Sequence, residues 1–474
     1  MNLASLLREA AQRLPTRVAI DAPGTTLTYA AAWARTAGLM AWLQQRGVRA
    51  GDRVAVALRD GVDHLLLHYA VAGLGAVWVP LDHRWSAAER AAATSAFSAR
   101  HVIDAQPPEQ LDPGVASCAD GGDRPWLISL SSGSTGRPKG ALVTHAQMRE
   151  RFVGQWATLG FSAADRFALV SPLCFGAGRS FGMSFLAAGG TVVLRPPPHT
   201  SEQLLRHLNE SACTATFLVP TLLRRLDALP GPAPLLPQLR RLLVSGEPLA
   251  GAEAARFRDR LTPNLIGYYA SSEGGGISVL QPSDFASHGH TVGRASFGVE
   301  VELVDEHGSP VPEGEPGLVR YRGPAVAREF VDENGQPVPG DRDGWFVPGD
   351  LATRDADGFI RLVGRARDTI VRAGVNVYPA EIERVLREHC SVAEVAVIGE
   401  PSATHGEAPV AFVAMHPGAP ADEDLLNAHC VERLAPYKRP ARFVFLARLP
   451  CAATGKTDKK ALQVLLAAAA LSRV

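Results

Sequence analysis

Short apolar segments rich in β-branched residues alternate with helical patterns along most of the chain, and this alternation limits the possible folds more than any other feature. Strands that are separated by helices of about ten or more residues form parallel sheets with helices on their faces. We therefore predict an α/β protein. The apolar segments are RVAVAL at 53–58, AVWVPL at 76–81, TVVLR at 191–195, ATFLVP at 215–220 and LRRLLVSG at 239–246.

The length and a change of pattern near residue 291 predict how the chain divides. A chain of 474 residues exceeds one comfortable hydrophobic core. Short strands with turn signals between 291 and 363 predict a small β-rich subdomain, and strand and helix patterns resume after it. We predict a large N-terminal domain at 1–364 with parallel or mixed sheets flanked by helices, a junction at 365–368, and a small α+β domain at 369–474.

Composition argues against several classes of protein. Lys and Arg number 48, as do Asp and Glu, and no long basic block occurs, so nothing predicts binding to nucleic acid or to an anionic membrane. The six cysteines contain no C-x-x-C pair, which argues against a zinc site and fits a reducing compartment. The longest apolar run, at 64–81, is interrupted by His68 and glycines and predicts a buried helix and strand rather than a membrane span. These features together predict a soluble cytoplasmic protein.

The segment SSGSTGRPKG, from Ser131 to Gly140, is too flexible and polar for the interior of a helix or strand. A surface linker is one interpretation. The segment follows WLISL, a predicted strand, and precedes a helix for which Thr144 is the predicted N-cap, and a Gly-rich loop in such a place can turn its N–H groups to an anion. It is not a Walker A loop, because Lys139 is followed by Gly140.

The same segment resembles the signature loop of the adenylate-forming superfamily of acyl- and aryl-CoA synthetases, luciferases and peptide-synthetase adenylation domains, and further motifs of that family follow in order to the end of the chain. The resemblance implies ATP and Mg²⁺ as cofactors, with CoA or a carrier protein's phosphopantetheine as acceptor, and a mobile C-terminal lid. It implies that the loop holds the ATP phosphates through Ser131, Ser132, Gly133, Ser134, Thr135, Gly136 and Lys139, with Thr135 also near the metal.

Other motifs imply the rest of the nucleotide site. In YYASSE, Tyr269 would stack on adenine, Ala270, Ser271 and Ser272 would lie at the nucleotide, and Glu273 would bind Mg²⁺. The resemblance implies that Asp350 accepts from the ribose hydroxyls and that Lys456 is the catalytic lysine, which bridges the acid and the α-phosphate. Its remaining assignments are Gly246, Glu247 and Arg365 at the nucleotide, Arg367 at the hinge and Gly374 in the pantetheine tunnel.

The acid pocket is predicted in the segment 171–185 and around it. No acidic residue occurs there to pair with an α-ammonium group, so an α-amino acid is disfavoured. Phe175 and Gly178 resemble the F-x-x-G of benzoate-type ligases, while the small Ala177 and Gly274, Gly275 and Gly276 predict a wider or longer pocket; Ser245 is a further wall residue. Arg179 either pairs with a second carboxylate of the acid or has a structural role.

The predicted function is ATP-dependent, AMP-forming activation of an aromatic or similar hydrophobic carboxylic acid, followed by transfer to CoA. The alternative is a stand-alone adenylation enzyme that loads the acid onto a phosphopantetheinyl carrier protein in natural-product biosynthesis.

Overall fold

The structure is a computed structural model that describes residues 1–112, 117–131, 139–195, 199–247, 249–332, 335–372, 375–402, 406–451 and 457–471. The α-helices are α1 Leu3–Arg13, α2 Tyr29–Gln45, α3 Val62–Gly73, α4 Ala87–Ala96, α5 His145–Leu159, α6 Gly176–Ala188, α7 Ser201–Glu210, α8 Pro220–Asp227, α9 Gly251–Arg260, α10 Phe285–His288, α11 Pro379–Arg387, α12 Glu423–Arg433 and α13 Lys459–Leu471. Short 3-10 helices cover Pro282–Asp284, Ala366–Asp368 and Pro436–Lys438.

The strands follow in the same chain order. They are β1 Val18–Ala22, β2 Thr25–Thr28, β3 Arg53–Val56, β4 Val77–Pro80, β5 His101–Ile103, β6 Pro125–Ser131, β7 Lys139–Thr144, β8 Arg166–Leu169, β9 Thr191–Leu194, β10 Ala215–Leu218, β11 Arg241–Val244, β12 Leu265–Ser271, β13 Gly275–Leu280, β14 Arg294–Ala295, β15 Glu300–Val304, β16 Gly317–Arg322, β17 Glu329–Val331, β18 Pro337–Pro339, β19 Asp350–Arg354, β20 Ile360–Arg365, β21 Ile370–Arg372, β22 Val375–Val377, β23 Val392–Ser402, β24 Gly406–Met415 and β25 Arg442–Phe445.

The predicted α/β class is confirmed by two large mixed sheets. One runs in the order β14-β13-β12-β11-β10-β8-β9-β1-β2, with its strands parallel from β12 to β1. Its central strands β10 and β11 are mostly apolar because both faces are buried. Phe217 and Leu243 lie in one core, whereas Leu218 and Leu242 lie in another, to which α7, α8 and α9 contribute.

The second large sheet runs in the order β18-β17-β7-β6-β4-β3-β5 and is parallel only at β6-β4-β3-β5. Its Trp78 and Trp126 are fully buried in the same core as Phe167 and Val192 of the first sheet. That core also takes its residues from α1, α2, α3, α5 and α6, so these helices join the two sheets. The run at 64–81 forms α3 and β4, and no helix in the described ranges is both long and apolar enough to cross a membrane.

The predicted order of strand, Gly-rich loop and helix is wrong. The loop joins β6 to β7, which pair as antiparallel neighbours with Ser131 opposite Lys139, and α5 begins only after β7. The N-terminus of α5 therefore does not follow the loop directly. Thr144 is confirmed as the N-cap: its hydroxyl accepts from the Gln147 backbone N–H at 3.2 Å, and Gln147 Oε1 accepts from the Thr144 N–H in return.

The predicted β-rich subdomain is a four-stranded antiparallel sheet in the order β15-β16-β19-β20, built around Val319 and Tyr321. It is attached to the first large sheet next to β14, where the Val292 and Ile360 backbones bond to each other and Ile360 N–H also donates to the Gly293 carbonyl. Gly293 has φ +83°, and a Cβ there would overlap the backbone of Val279 in β13. A residue without a side chain is therefore required at this junction.

The strands after residue 368 form a separate sheet. Antiparallel β23 and β24 lie at its centre, with β25 parallel to β24. Alternate residues serve its two faces: Val395 and Val413 pack with α11 and α12, whereas Ile398 and Phe412 pack with Leu462 of α13. The predicted α+β character of this segment agrees with its own sheet and cores; the boundary at 364–368 stays a prediction.

We expect Gly293→Ala to lower the thermal unfolding midpoint far more than Gly24→Ala. Both glycines have a positive φ, +83° and +72°, so Ala at either one meets a backbone cost of about 1 kcal/mol. Only at Gly293 does the new methyl group also overlap backbone, which adds about 1–3 kcal/mol or more. Equal shifts in the two variants, measured by calorimetry, would show that the close approach to β13 is not a constraint.

Candidate active site

The candidate site lies where parallel strands of the first large sheet end. The segments that follow β8 and β11, and the end of β12 itself, carry residues 171–179, 245–247 and 269–273. Because parallel strands of one sheet end at the same edge, these three segments lie along that edge, with β11 next to β12 and with β10 between β11 and β8. Crevices at this edge of α/β sheets are the usual ligand sites.

Asp350 joins two other predicted nucleotide-binding residues. Its Oδ2 accepts from the Tyr269 hydroxyl at 2.6 Å, and its Oδ1 lies 2.9 Å from Arg365 Nε. Burial and the neighbouring Asp350 carboxylate raise the pKa of Tyr269 above its ordinary value, so the hydroxyl stays protonated and donates. The structure thus brings together three residues from β12, β19 and β20 that sequence alone placed in separate motifs.

The turn between β12 and β13 presents Glu273. The Ser271 hydroxyl accepts from the N–H groups of Glu273 and Gly274 at 3.2 and 3.0 Å and is hydrogen-bonded to the Tyr321 hydroxyl. Glu273 is 9% exposed, and within the described residues no hydrogen bond reaches its carboxylate oxygens. A nearly buried carboxylate with uncommitted oxygens suits a cation that keeps most of its other ligands from water and phosphate, as Mg²⁺ does.

Arg151 of α5 holds this turn through hydrogen bonds to its backbone carbonyls. The sequence motifs did not identify this residue. Its Nη1 and Nη2 donate to the carbonyls of Ser272 and Glu273 at 3.2 and 2.5 Å, and its Nε donates to Ala325. Burial lowers the pKa of Arg151. The available signal was position: residue 151 shares the helical face of the buried Met148, Phe152 and Gln155.

Gly274 and Gly276 do not widen the acid pocket, so the predicted role of these two glycines is wrong. A Cβ on Gly274 would lie 2.5 Å from the Tyr321 ring, and one on Gly276 would lie 2.5 Å from the Tyr268 hydroxyl. The third, Gly275, has φ +76° and lies against the Arg151 side chain. The glycines admit neighbouring side chains rather than open space.

The acid-pocket segment forms the start of α6. Phe175 is its N-cap residue, and Gly178 packs so closely on the carbonyls of Ser171 and Pro172 that a Cβ would overlap them. Ala177 and Phe175 are partly buried. The structure therefore explains Gly178 by backbone contact, whereas Ala177 remains a candidate wall residue.

The segment after β11 is held by charge pairs. Gly246 has φ +110°, and the following Glu247 lies 3.5 Å from Arg224, which also binds Glu253. Ser245 is partly buried at the strand end. Ala270 and Ser272 flank Ser271 at the end of β12 and are partly buried too. Their predicted contacts with nucleotide or acid stay predictions.

Several predicted residues lie outside the described part of the chain. They are Ser132, Gly133, Ser134, Thr135, Gly136, Gly374 and Lys456, together with the side chains of Ser131 and Lys139. The predicted hinge residue Arg367 belongs to the 3-10 helix Ala366–Asp368, and its Nε lies 3.5 Å from Asp368. Asp368 also lies 3.7 Å from Lys459 of α13.

Comparisons with known proteins agree with this arrangement. A family model described as AMP-binding enzyme matches residues 7–121 and 115–331, and one described as AMP-binding enzyme C-terminal domain matches 381–456. Feruloyl-CoA synthase of an Amycolatopsis species is 33% identical over 95% of this chain and 96% of its own. A 2-succinylbenzoate–CoA ligase of Bacillus licheniformis is 29% identical over 96% of this chain and 98% of its own.

Two solved structures show the same fold over nearly the whole chain. An amide bond synthetase from Marinactinospora thermotolerans superposes with a TM-score of 0.88 at 25% identity, covering 98% of this chain and 100% of its own. The o-succinylbenzoate CoA synthetase of Bacillus subtilis, in complex with its acyl-adenylate intermediate, gives 0.87 at 26% identity, covering 96% and 97%. The chain therefore belongs to the AMP-binding enzyme family, as an adenylate-forming enzyme of the acyl- and aryl-CoA ligase type.

Proposed function

We propose that this protein activates an aromatic or similar hydrophobic carboxylic acid with ATP and transfers the acyl group to the thiol of CoA. The observation that carries the proposal is the group formed by Tyr269, Asp350 and Arg365, since a ring, a carboxylate and a guanidinium held together form a nucleoside-binding surface. Membership of the family makes the chain an AMP-forming acid–thiol ligase.

The reaction has two steps. A carboxylate oxygen of the acid attacks the α-phosphorus of ATP, so that pyrophosphate leaves and an acyl-adenylate forms. The thiol then attacks the acyl carbon, the bond between that carbon and the bridging oxygen breaks, and AMP leaves with the oxygen that came from the acid. The thiol proton passes to solvent. No general base is needed in the first step, because a carboxylate is already ionised at pH 7.

The first step brings an anion to a polyanion, and the site must offset that repulsion. Each pair of like unit charges at about 4 Å costs about 4 kcal/mol at an effective dielectric constant of about 20. A bound Mg²⁺ supplies positive charge at the phosphates, and Glu273, which Arg151 and Ser271 hold in place, is the described residue that suits it. The structure of the Bacillus subtilis synthetase with ATP and a magnesium ion supports both cofactors for this chain.

The residues of α6 and its neighbours support an apolar acid as the substrate. Phe175 and Ala177 lie at the start of the helix, and Phe181 packs against Tyr268 with ring centroids 5.8 Å apart. The segment 171–185 contains no acidic residue that could pair with an α-ammonium group. One relative is named feruloyl-CoA synthase and another is named for 2-succinylbenzoate, and both names denote an aromatic acyl group, which supports the same class of acid.

A carrier protein competes with CoA as the proposed acceptor of the acyl group. A carrier protein's phosphopantetheine presents the same thiol arm as CoA, and the amide bond synthetase shows that this fold also occurs in an enzyme named for amide synthesis. CoA is favoured by the curated relatives named as CoA synthases and ligases. Thioester formation with free CoA, compared with a panel of phosphopantetheinylated carrier proteins, separates the two: saturable turnover with CoA supports the proposal, and turnover with carriers alone contradicts it.

We expect Asp350→Asn to raise the KM for ATP by about 10- to 100-fold, because hydrogen bonds to a charged group are worth about 1.5–3 kcal/mol. Tyr269→Phe is the matched variant: it removes only the hydroxyl that donates to Asp350 and keeps the ring, so it should change this KM less. Initial rates of pyrophosphate release measure both. A larger effect of Tyr269→Phe would mean that the hydroxyl, and not the carboxylate, carries the contact with ATP.

Lys456→Ala should slow adenylate formation by at least ~10²-fold, the usual scale for one lost donor to a transition state. Thioester formation from a pre-made acyl-adenylate should be largely spared, because the lysine is assigned to the first step only. The neighbouring Lys459→Ala is the control, since Lys459 is already paired with Glu383 at 3.0 Å. Equal losses in both half-reactions would remove Lys456 from its assigned role.

Gly374→Leu should block thioester formation while acid-dependent pyrophosphate exchange continues, because a branched side chain would fill a tunnel that admits the narrow thiol arm. Gly374→Ala should have the smaller effect of the two. The half-reactions are measured separately, with pre-made adenylate for the second. Normal thioester formation by Gly374→Leu would refute the tunnel assignment.

A further inference from the structure

Arg179 is a buried cation with almost no partners. Its residue exposure is 3%. Nη1 donates to the Cys174 carbonyl at 3.2 Å, while Nε makes no hydrogen bond within the described residues. No carboxylate in those residues forms an ion pair with it. One hydrogen bond to a neutral carbonyl offsets only a small part of the free energy that it costs to remove a guanidinium from water.

The surroundings of Arg179 do not balance its charge. Burial lowers its pKa to about 10, and the nearby Arg151 acts in the same direction. Cys174 would oppose this effect only as a thiolate, and burial raises the pKa of its thiol to about 12, which keeps it neutral. His68 is also close, but burial lowers the pKa of His68, which leaves it neutral. The guanidinium is therefore charged at neutral pH and lies among groups that are positive or uncharged.

The carboxylates in this region are already engaged. Asp60 accepts from the Leu173 N–H at 2.9 Å and lies 3.4 Å from His64. Asp82 binds the guanidinium of Arg84 through both of its oxygens, at 2.5 to 3.1 Å. Arg84 is thus neutralised, whereas Arg179 is not, although both cations lie close to Cys174 and Phe175.

The place of Arg179 in the fold connects it with the acid. It lies in α6, one turn after Phe175, on the segment between β8 and β9 that contains the candidate acid pocket. The next residue, Ser180, accepts from Gln155 of α5 at 2.9 Å, and Phe181 packs on Tyr268 of β12. Nothing in the resemblance to the family uses a cation here, because the reacting carboxylate is assigned to Lys456.

An uncompensated buried charge costs several kcal/mol, so its retention calls for a partner that is absent when the site is empty. We propose that Arg179 binds a second carboxylate of the acid substrate, distinct from the carboxylate that is adenylated. The inference rests on the proposed function and narrows its substrate class to aromatic acids that carry another anionic group. A planar guanidinium binds a carboxylate through two parallel N–H groups, which also fixes the acid's orientation.

The test compares matched acids that differ by one carboxylate. Suitable pairs are 4-oxo-4-phenylbutanoate with 2-succinylbenzoate, and cinnamate with 4-carboxycinnamate. Acid-dependent ATP–pyrophosphate exchange gives kcat/KM for each acid with the full chain, with Arg179→Met and with Arg179→Lys. Arg84→Met is the matched control, because it removes a neighbouring cation that Asp82 already neutralises.

The wild-type protein should prefer the dicarboxylate of at least one pair by about 10-fold or more. Arg179→Met should reduce that preference by about 10- to 100-fold, as expected for the loss of a charged hydrogen bond, with little loss for the monocarboxylate. Arg179→Lys should keep part of the preference, and Arg84→Met all of it. A preference for the monocarboxylates, or a ratio that Arg179→Met leaves unchanged, would overturn the inference while leaving the proposed function in place.

A stability measurement separates binding from a structural role. If Arg179 serves a ligand, Arg179→Met should keep or raise the thermal midpoint of the free protein, because an unpaired buried charge is removed. At least one of the two dicarboxylates, 2-succinylbenzoate or 4-carboxycinnamate, should then stabilise the wild type and not the variant. If Arg179 is structural, the variant should lose stability, and that outcome overturns the proposal. The thermal midpoint is measured without catalysis, so it tests the role of Arg179 even if no acid supports ATP–pyrophosphate exchange. The absence of exchange with every acid would contradict the proposed function and not the inference about Arg179.

Discussion

The carboxylate of Asp350 is the contact on which the candidate active site most depends. It joins Tyr269, near the end of β12 in the nine-stranded sheet, to Arg365, at the end of the last strand before the C-terminal segment. Three elements that belong to two sheets thus meet at one buried charge. Burial and this interaction both raise the pKa of Tyr269, so the hydroxyl stays protonated and its hydrogen bond to Asp350 holds the ring in place. The surface proposed for the nucleoside is thus formed before any ligand binds.

A second set of contacts positions the carboxylate of Glu273, which we propose for Mg²⁺. Arg151 reaches across from α5 to the carbonyls of the β12–β13 turn, and Ser271 bonds the N–H groups of the same turn from the other side. Glycines 274 and 276 allow the rings of Tyr321 and Tyr268 to approach this turn. Glu273 is thereby presented by a turn that is fixed on both sides, which lowers the cost of ordering it when a cation and a phosphate arrive.

The sequence was sufficient for the fold class and for the family, because those depend on periodicity and on motifs that are local in the chain. It also singled out Tyr269, Asp350 and Arg365, which the structure brings into contact, while their roles stay predictions. It was insufficient for features that depend on contacts between residues far apart in the chain. The Gly-rich loop was expected to lead directly into a helix, but an intervening β7 pairs back on β6, and a short strand of this kind is hard to distinguish from a loop by pattern alone. The glycines after Glu273 were interpreted as open space, although the rings of Tyr321, distant in the chain, and Tyr268, on the paired strand β12, fill it. The helical pattern places Arg151 on the buried face of α5 but does not give its contacts with the β12–β13 turn. The lack of an ion-pair partner for Arg179 within the described residues could not be predicted either, since charge neutralisation depends on neighbours that are far apart in the chain.

The central claim is that this site forms an acyl-adenylate. It is tested most directly by supplying the protein with ATP, Mg²⁺ and a panel of carboxylic acids, with and without CoA, and identifying the nucleotide products. The account predicts acid-dependent exchange of pyrophosphate into ATP without CoA, and release of AMP with a matching amount of thioester when CoA is present. Formation of ADP and phosphate, or the absence of exchange with every acid of a broad panel, would contradict it.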